Sequence, residues 1–401
     1  MKKFLFVTLS LILAGCASAP QGLKTASPAA CGMDPARLAL ADSAINSCIA
    51  NRDFPGAVLA VVRGDKIVYM KAYGNKQVVP DTVAMPVDAV FDLASVSKTV
   101  GTTLAFMQLV EKGQVRLQDN VSKYIPEFKP WVDPETGEKV EIEIRDLLTH
   151  ASGLDPYVTA PSMVALYGEG QPDSLMHYIA ALSPRNFRPK TDFKYSCLNF
   201  ITLQNILQKV TGMTLAEYAQ KNVFDVLGLK STCYMPKGDL IARCVPTEVQ
   251  PDGKPLIGVV HDPVARIMNC GNSGNAGVFS SAQDLCVIAA ALMNGGEING
   301  KRILSPLTVQ TMATIPSYND PKIGRGLGFD INSDYSSNKG NLFGDEGVIC
   351  HTGYTGTSWV IDLKTKTAVI LLTNRAHPYD GGAAIPIRTK VANIVASSII
   401  K

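Results

Sequence analysis

Two pairs of β-rich runs stand near opposite ends of this 401-residue chain, with a mostly helical middle between them. The first pair, 58–62 and 67–73, is joined at Arg63-Gly64-Asp65-Lys66, a turn suited to antiparallel strands. The second pair is 357–361 and 367–372. An amphipathic helix from Asp34, with Leu38, Ala41, Ile45, Cys48 and Ile49 on one face, precedes the first pair, and an apolar helix over 384–400 follows the second. The ends of the chain therefore supply one sheet and its covering helices. Helical patterns over 95–112, 198–211, 214–227 and 282–293 fill the middle, and Thr214 with Glu217 forms a capping box. The expected fold is α+β, an antiparallel sheet flanked by helices plus a mostly helical subdomain. One domain over 33–401 holds a helical middle of about 95–345 between sheet-forming ends, with the catalytic cleft between the two parts. With 46% hydrophobic and 18% charged residues the chain can bury a large core.

Chemistry first shows itself at Phe91-Asp-Leu-Ala-Ser95-Val-Ser-Lys98. Positions i and i+3 share a helix face, so the Lys98 amine can lie beside the Ser95 hydroxyl and take its proton. Ser95 opens an apolar stripe of Val96, Val100, Leu104, Met107 and Val110 that stops at Lys112-Gly113. A second Ser-x-x-Lys, Ser336 to Lys339, lies in a polar stretch without periodicity and reads as a solvated loop. Acting as a base requires neutral Lys98, so burial and the helix dipole are expected to lower its pKa toward neutrality. The Ser95 backbone N–H offers one oxyanion donor.

Tyr195, in Phe193-Lys-Tyr-Ser-Cys197, stands just ahead of the helix at 198, where its phenol can relay the serine proton. Later, Cys350-His351-Thr352-Gly353-Tyr354 borders the strand at 357. Its glycine suits close approach of a substrate backbone, and the Tyr354 N–H is a candidate second oxyanion donor. No Gly-x-Ser-x-Gly elbow occurs, which argues against a Ser-His-Asp triad built on His150, His177, His261 or His377; most of these read as structural or surface residues.

Ser-x-x-Lys, Tyr-Ser-Cys and His-Thr-Gly, in this order, resemble the motifs of the class C β-lactamase-like serine hydrolases, a group of D-Ala-D-Ala carboxypeptidases, β-lactamases and esterases. Leu147-Leu-Thr-His150-Ala-Ser-Gly-Leu154 and Gly274-Asn-Ala-Gly-Val-Phe-Ser-Ser281 are similar to further segments of that family. The resemblance implies a β-lactamase/transpeptidase-like fold and no metal or organic cofactor. It also implies an acyl-enzyme on Ser95 with Lys98 and Tyr195 as proton-transfer partners, and a substrate strand lined by His351, Thr352 and Gly353. Two departures bear on substrate. Cys197 stands where the family pattern has an amide side chain, and its thiol is a weak donor and acceptor. His351 replaces the lysine of the β-lactamases and carries only partial charge near pH 7, weakening any carboxylate anchor. The expectation is a hydrolase of small esters, D-amino-acid peptides or peptidoglycan-type amides, with weak or no β-lactamase activity. The alternative is a penicillin-binding or cell-wall-sensing protein that acylates without turnover.

The amino terminus carries Lys2-Lys3, an apolar run over 4–14 and then Gly15-Cys16, a signal-peptide pattern too short to span a bilayer. Leu13-Ala14-Gly15-Cys16 resembles the lipobox of bacterial lipoproteins, which implies cleavage before Cys16, lipidation of its thiol and an outer-membrane protein facing the periplasm. The alternative is ordinary secretion, since Ala17-Ser18-Ala19 would also serve as a cleavage site. Residues 16–32 read as a flexible tether. A formal net charge of +3 gives no reason to expect nucleic acid. Export permits disulfides, with Cys233–Cys244 the most plausible local bridge and Cys197–Cys350 a conceivable redox pair, while no Cys/His spacing suits zinc.

Overall fold

The computed structural model describes residues 22–401. Strands β1 (Gly56–Arg63) and β2 (Lys66–Gln77) form the expected hairpin, and β3 (Val348–Thr352), β4 (Thr357–Asp362) and β5 (Thr367–Thr373) form a second antiparallel set. The two sets join through β1 and β5, from Ala57 opposite Thr373 to Arg63 opposite Thr367, so the sheet runs β2-β1-β5-β4-β3. This pairing brings the chain ends together. Every residue of β1 but the last is buried, because successive side chains point to opposite faces and both faces are covered.

The helices include α1 (Pro35–Ala50), α2 (Leu104–Glu111), α3 (Cys197–Thr211), α4 (Ala282–Met293) and α5 (Ile385–Ser397), of which α1, α4 and α5 cover the sheet while α2 and α3 pack within the helical part. Ala57, Leu59 and Val61 pack with Leu38 and Ile45 of α1 and Ile387, Val391 and Val395 of α5. Val58, Ala60 and Val62 face the larger core, which takes in α2, α3 and α4. A small sheet of Val90–Asp92, Val278–Ser281 and Cys233–Tyr234 lies in the helical part.

Several expectations need correction. The tether does not run free as far as residue 32: Lys24–Thr25 pairs parallel with Lys66 and Ile67 of β2, and Met33 bridges Ile399. Cys16 and the leader lie outside the described residues. Ser336 and Lys339 are buried rather than solvated; Lys339 donates to the Ile331 carbonyl and pairs with Asp345, and the Ser336 hydroxyl donates to the Ser333 carbonyl. The second Ser-x-x-Lys match is thus a tie inside a turn. All eight described cysteines are free. Cys233 pairs against Phe279 on one edge of the small sheet, whereas Cys244 bridges Val90 at the other. Cys350 and His351 alternate across β3, which turns Cys350 into the core beneath α1 and α5, away from Cys197.

Candidate active site

Ser95 sits on a tight turn, Ala94–Val96, directly after the short strand Val90–Asp92. Ala94 adopts the left-handed φ of +45°, and its N–H is held by the Asp92 carboxylate at 2.9 Å. Such an alanine conformation persists only where its surroundings impose it. The carbonyls of Asp92 and Leu93 accept the hydroxyls of Thr355 and Thr357, each at 2.8 Å, tying this turn to the start of β4. The chain beyond is not the regular α-helix its apolar stripe suggests. Lys98–Thr103 widens into a π turn before α2 begins, with the Thr99, Thr102 and Thr103 hydroxyls taking the carbonyls of Val96, Gly274 and Lys98. Gly101 is required here, because a Cβ would lie 2.3 Å from the Tyr234 hydroxyl oxygen.

The wholly buried Lys98 Nζ donates to Ser95 Oγ at 3.0 Å and to the Asn275 carbonyl at 2.9 Å, and Cys197 Sγ lies 3.6 Å away. Asn275 thus enters through its backbone; its side chain is tied up by Ser273 and Asp262. Tyr195 comes from the loop ahead of α3, and Lys98 Nζ stands 5.0 Å from its ring centroid. The buried phenol oxygen has no hydrogen-bond partner among the described residues. Burial raises the Tyr195 pKa, opposed by the Lys98 charge and the Ser95 hydroxyl. Burial pulls the Lys98 pKa down, but its interactions with the neighbouring Cys197 and Tyr195 push it further up, so the net direction is upward. The expected drop toward neutrality is therefore not found. Both pKa values are raised, so the pair must shed one proton before it can act as a base, and amine with phenol then carries the same net charge as ammonium with phenolate.

The substrate-strand residues divide by face. His351 is buried, its Nδ1–H donates to the Thr352 carbonyl at 2.8 Å, and its ring centroid is 6.0 Å from that of Tyr195. Burial, aided by the charges of Arg325 and Lys98, pushes its pKa down to about 3. His351 is accordingly neutral and no carboxylate anchor, contrary to the partial charge expected of it. Gly353 is needed for a different contact than the one foreseen: its Cβ would sit 2.4 Å from the Leu93 carbonyl oxygen, so the turn that carries Ser95 fills that space. Thr352, Gly353 and the exposed Tyr354 line a cavity of about 690 Å³ that also opens onto Ser95 and Tyr195.

Two parts of the site carried no recognised signal in the sequence. Arg388 of α5 lines the same cavity and is buried, with Nη2 on the carbonyls of Gly353 and Thr357 at 2.8 and 3.0 Å, Nε unpartnered and no carboxylate paired to it among the described residues. Burial and the neighbouring Arg375 lower its pKa to about 10, which leaves it a cation. A lone arginine three residues before the core-facing Val391 was the available clue. Behind Tyr195, Arg325 and Asp330 form a fully buried ion pair, and the guanidinium stands 6.0 Å from the Tyr195 ring centroid. Among the described residues, no group of three or more His, Cys, Asp or Glu side chains is placed to hold a metal ion.

A family profile described as Beta-lactamase matches residues 41–393. The chain belongs to the beta-lactamase family. It is 31% identical over 349 residues to an N-acetylmuramyl-L-alanine amidase of Bacillus subtilis (strain 168), a match spanning 81% of this chain and 78% of that one. It is 30% identical over 395 residues to a protein of Escherichia coli O157:H7 provisionally named D-alanyl-D-alanine carboxypeptidase, spanning 92% and 90%. Among solved structures in the same fold, EstCE1, a hydrolase with promiscuous acyltransferase activity, superposes with a TM-score of 0.70 at 23% identity over 90% of this chain and 99% of its own. A penicillin-binding protein homolog from Caulobacter crescentus gives 0.69 at 18% identity, covering 92% and 99%. The α+β fold and the membership in a family of serine hydrolases both follow, and the beta-lactamase-family chain is an enzyme of that kind.

Proposed function

We propose that this family member forms an acyl-enzyme on Ser95 and cleaves small esters or D-amino-acid amides of the cell-wall type, with little β-lactam turnover. The observation that carries this reading is Lys98 Nζ at 3.0 Å from Ser95 Oγ, with the unpartnered Tyr195 hydroxyl in the same cavity. The Ser95 proton passes to the Lys98–Tyr195 pair as Oγ attacks the acyl carbon, and the pair returns it to the departing oxygen or nitrogen. The N–H groups of Ser95 and Tyr354 receive the developing oxyanion. Water then attacks the ester by the reverse proton path. Arg388, an uncompensated cation on the cavity wall, favours substrates ending in a carboxylate. Cys197 contributes a weak polar wall where an amide would grip a substrate more firmly. The names of the amidase and carboxypeptidase relatives support a muropeptide-like substrate. Cleavage before Cys16 and lipidation of its thiol would hold the enzyme on the outer membrane, facing the periplasm; cleavage after Ala19 would instead release it as a soluble periplasmic or secreted protein.

A fluorophosphonate probe tests the nucleophile: wild-type protein labels and Ser95→Ala does not, whereas equal labelling removes Ser95 from the chemistry. Chromogenic esters, a cephalosporin and D-Ala-D-Ala peptides then sort the substrate. Repeated product release supports the hydrolase, and a single burst without turnover supports a sensor that acylates and stops.

A further inference from the structure

The Tyr195 hydroxyl has no hydrogen-bond partner among the described residues, so other contacts must hold the phenol in place. The answer lies in His150. Its carbonyl accepts the Lys194 N–H at 3.1 Å, and its Nδ1 accepts the Ser196 N–H at 3.1 Å. These are the two amides on either side of Tyr195. The imidazole also lies against the phenol ring, centroids 4.4 Å apart. Tyr335 also stacks on Tyr195, at 5.0 Å, so two rings pack against the phenol.

The clamp is itself held. Asn199 Nδ2 donates to the same His150 Nδ1 at 3.0 Å, and Asn199 Oδ1 accepts the Ser152 hydroxyl at 2.6 Å. Because Nδ1 accepts, the ring proton sits on Nε2, and the wholly buried imidazole stays neutral. The backbone of His150 adopts φ +56°, a left-handed value that aims carbonyl and ring at one short stretch of chain. No ordinary turn needs all of these features in one residue.

We infer that His150 is a positioning residue for Tyr195, setting the phenol over Ser95 and Lys98 without touching substrate. This rests on the acyl-enzyme reading, in which Tyr195 moves a proton. Misplacing a reacting group by about 1 Å costs on the order of a hundredfold in rate. His150→Ala should therefore lower kcat for an activated ester about a hundredfold and leave KM nearly unchanged in protein that is folded by circular dichroism. His150→Asn keeps an acceptor near Nδ1 and tolerates the left-handed φ, so it should recover most of that loss. Adding Tyr195→Phe to His150→Ala should cost nothing beyond Tyr195→Phe alone, because the two act through one group. Should His150→Ala fail to fold, His150→Gly relieves the φ restriction, keeps the carbonyl and should show the same kcat loss. Wild-type kcat in a folded His150→Ala or His150→Gly protein, or losses that multiply with Tyr195→Phe, would overturn the inference while leaving the acyl-enzyme intact. Full activity of Tyr195→Phe would instead remove the proton-transfer role on which the inference stands.

Discussion

Changing Asp330 to asparagine removes the sole carboxylate paired with Arg325 among the described residues, and both side chains are essentially inaccessible, at 0% and 1% exposure. Breaking such a pair by removing one partner costs about 3–5 kcal/mol, most of it from the charge left behind. Asparagine still offers an oxygen to Arg325 and to the Ser333 hydroxyl, so the lower end applies, about 3 kcal/mol. The Arg325 Nε is already unpartnered, which leaves the guanidinium little else to turn to. Removing both charges, as Arg325→Met with Asp330→Leu, should be within about 1 kcal/mol of wild type, because no buried ion then remains. Urea unfolding of wild type, Arg325→Met, Asp330→Leu and the double closes this cycle; with each single costing at least about 3 kcal/mol and the double about 1, the expected coupling is about 5 kcal/mol. Additive single effects would refute the argument, since they would mean that each side chain acts through packing rather than through the other's charge. Because Arg325 stands beneath Tyr195 and beside His351, the Asp330→Asn protein should also lose probe labelling at Ser95.

Other consequences are simpler to check. Lys98→Met removes the amine 3.0 Å from Ser95 Oγ and should slow fluorophosphonate labelling by about 10²–10⁴-fold while the protein stays folded by circular dichroism. Arg388→Met should raise KM for a peptide ending in a free carboxylate at least about tenfold, the worth of a charged hydrogen bond, with little change for its amidated counterpart; equal effects on both would deny Arg388 a role in binding. Cys197→Asn should raise the rate on D-Ala-D-Ala amides relative to simple esters, and an unchanged amide-to-ester ratio would count against the thiol as the limiting contact. His351 stays neutral in the fold down to about pH 3, whereas an unfolded histidine titrates near 6.5. The unfolded chain therefore binds a proton that the fold refuses, and this contribution to stability, complete above pH 6.5, is lost as pH falls toward 3. It drains at about 1.4 kcal/mol per pH unit, so the stability difference between wild type and His351→Gln, from chemical unfolding, should shift by about 2 kcal/mol between pH 7 and pH 5.

Local pattern determined a good deal of this protein. The β-rich run 58–62, the turn at Gly64, the apolar helix Ala282–Met293 and the Thr214–Glu217 cap all follow from the chain, because composition, turn chemistry and capping depend on residues a few positions apart. The i, i+3 spacing likewise put the Lys98 amine within reach of Ser95, although threonine hydroxyls and Gly101 widened the turn that a stripe of apolar residues could not foretell. Tertiary structure decided what faces that pair. Tyr195 and Arg388 reach one cavity, and the Asn275 carbonyl reaches Lys98, only because the β1–β5 pairing closes the chain ends around the helical middle, and no short window of sequence records that closure. The assembled surroundings then reversed two expectations: His351 lost its charge because a dry site disfavours an imidazolium, and the Lys98 pKa was held up because its neighbours outweigh the effect of its burial. The charge of a side chain belongs to its surroundings, and those are assembled from segments far apart along the polypeptide.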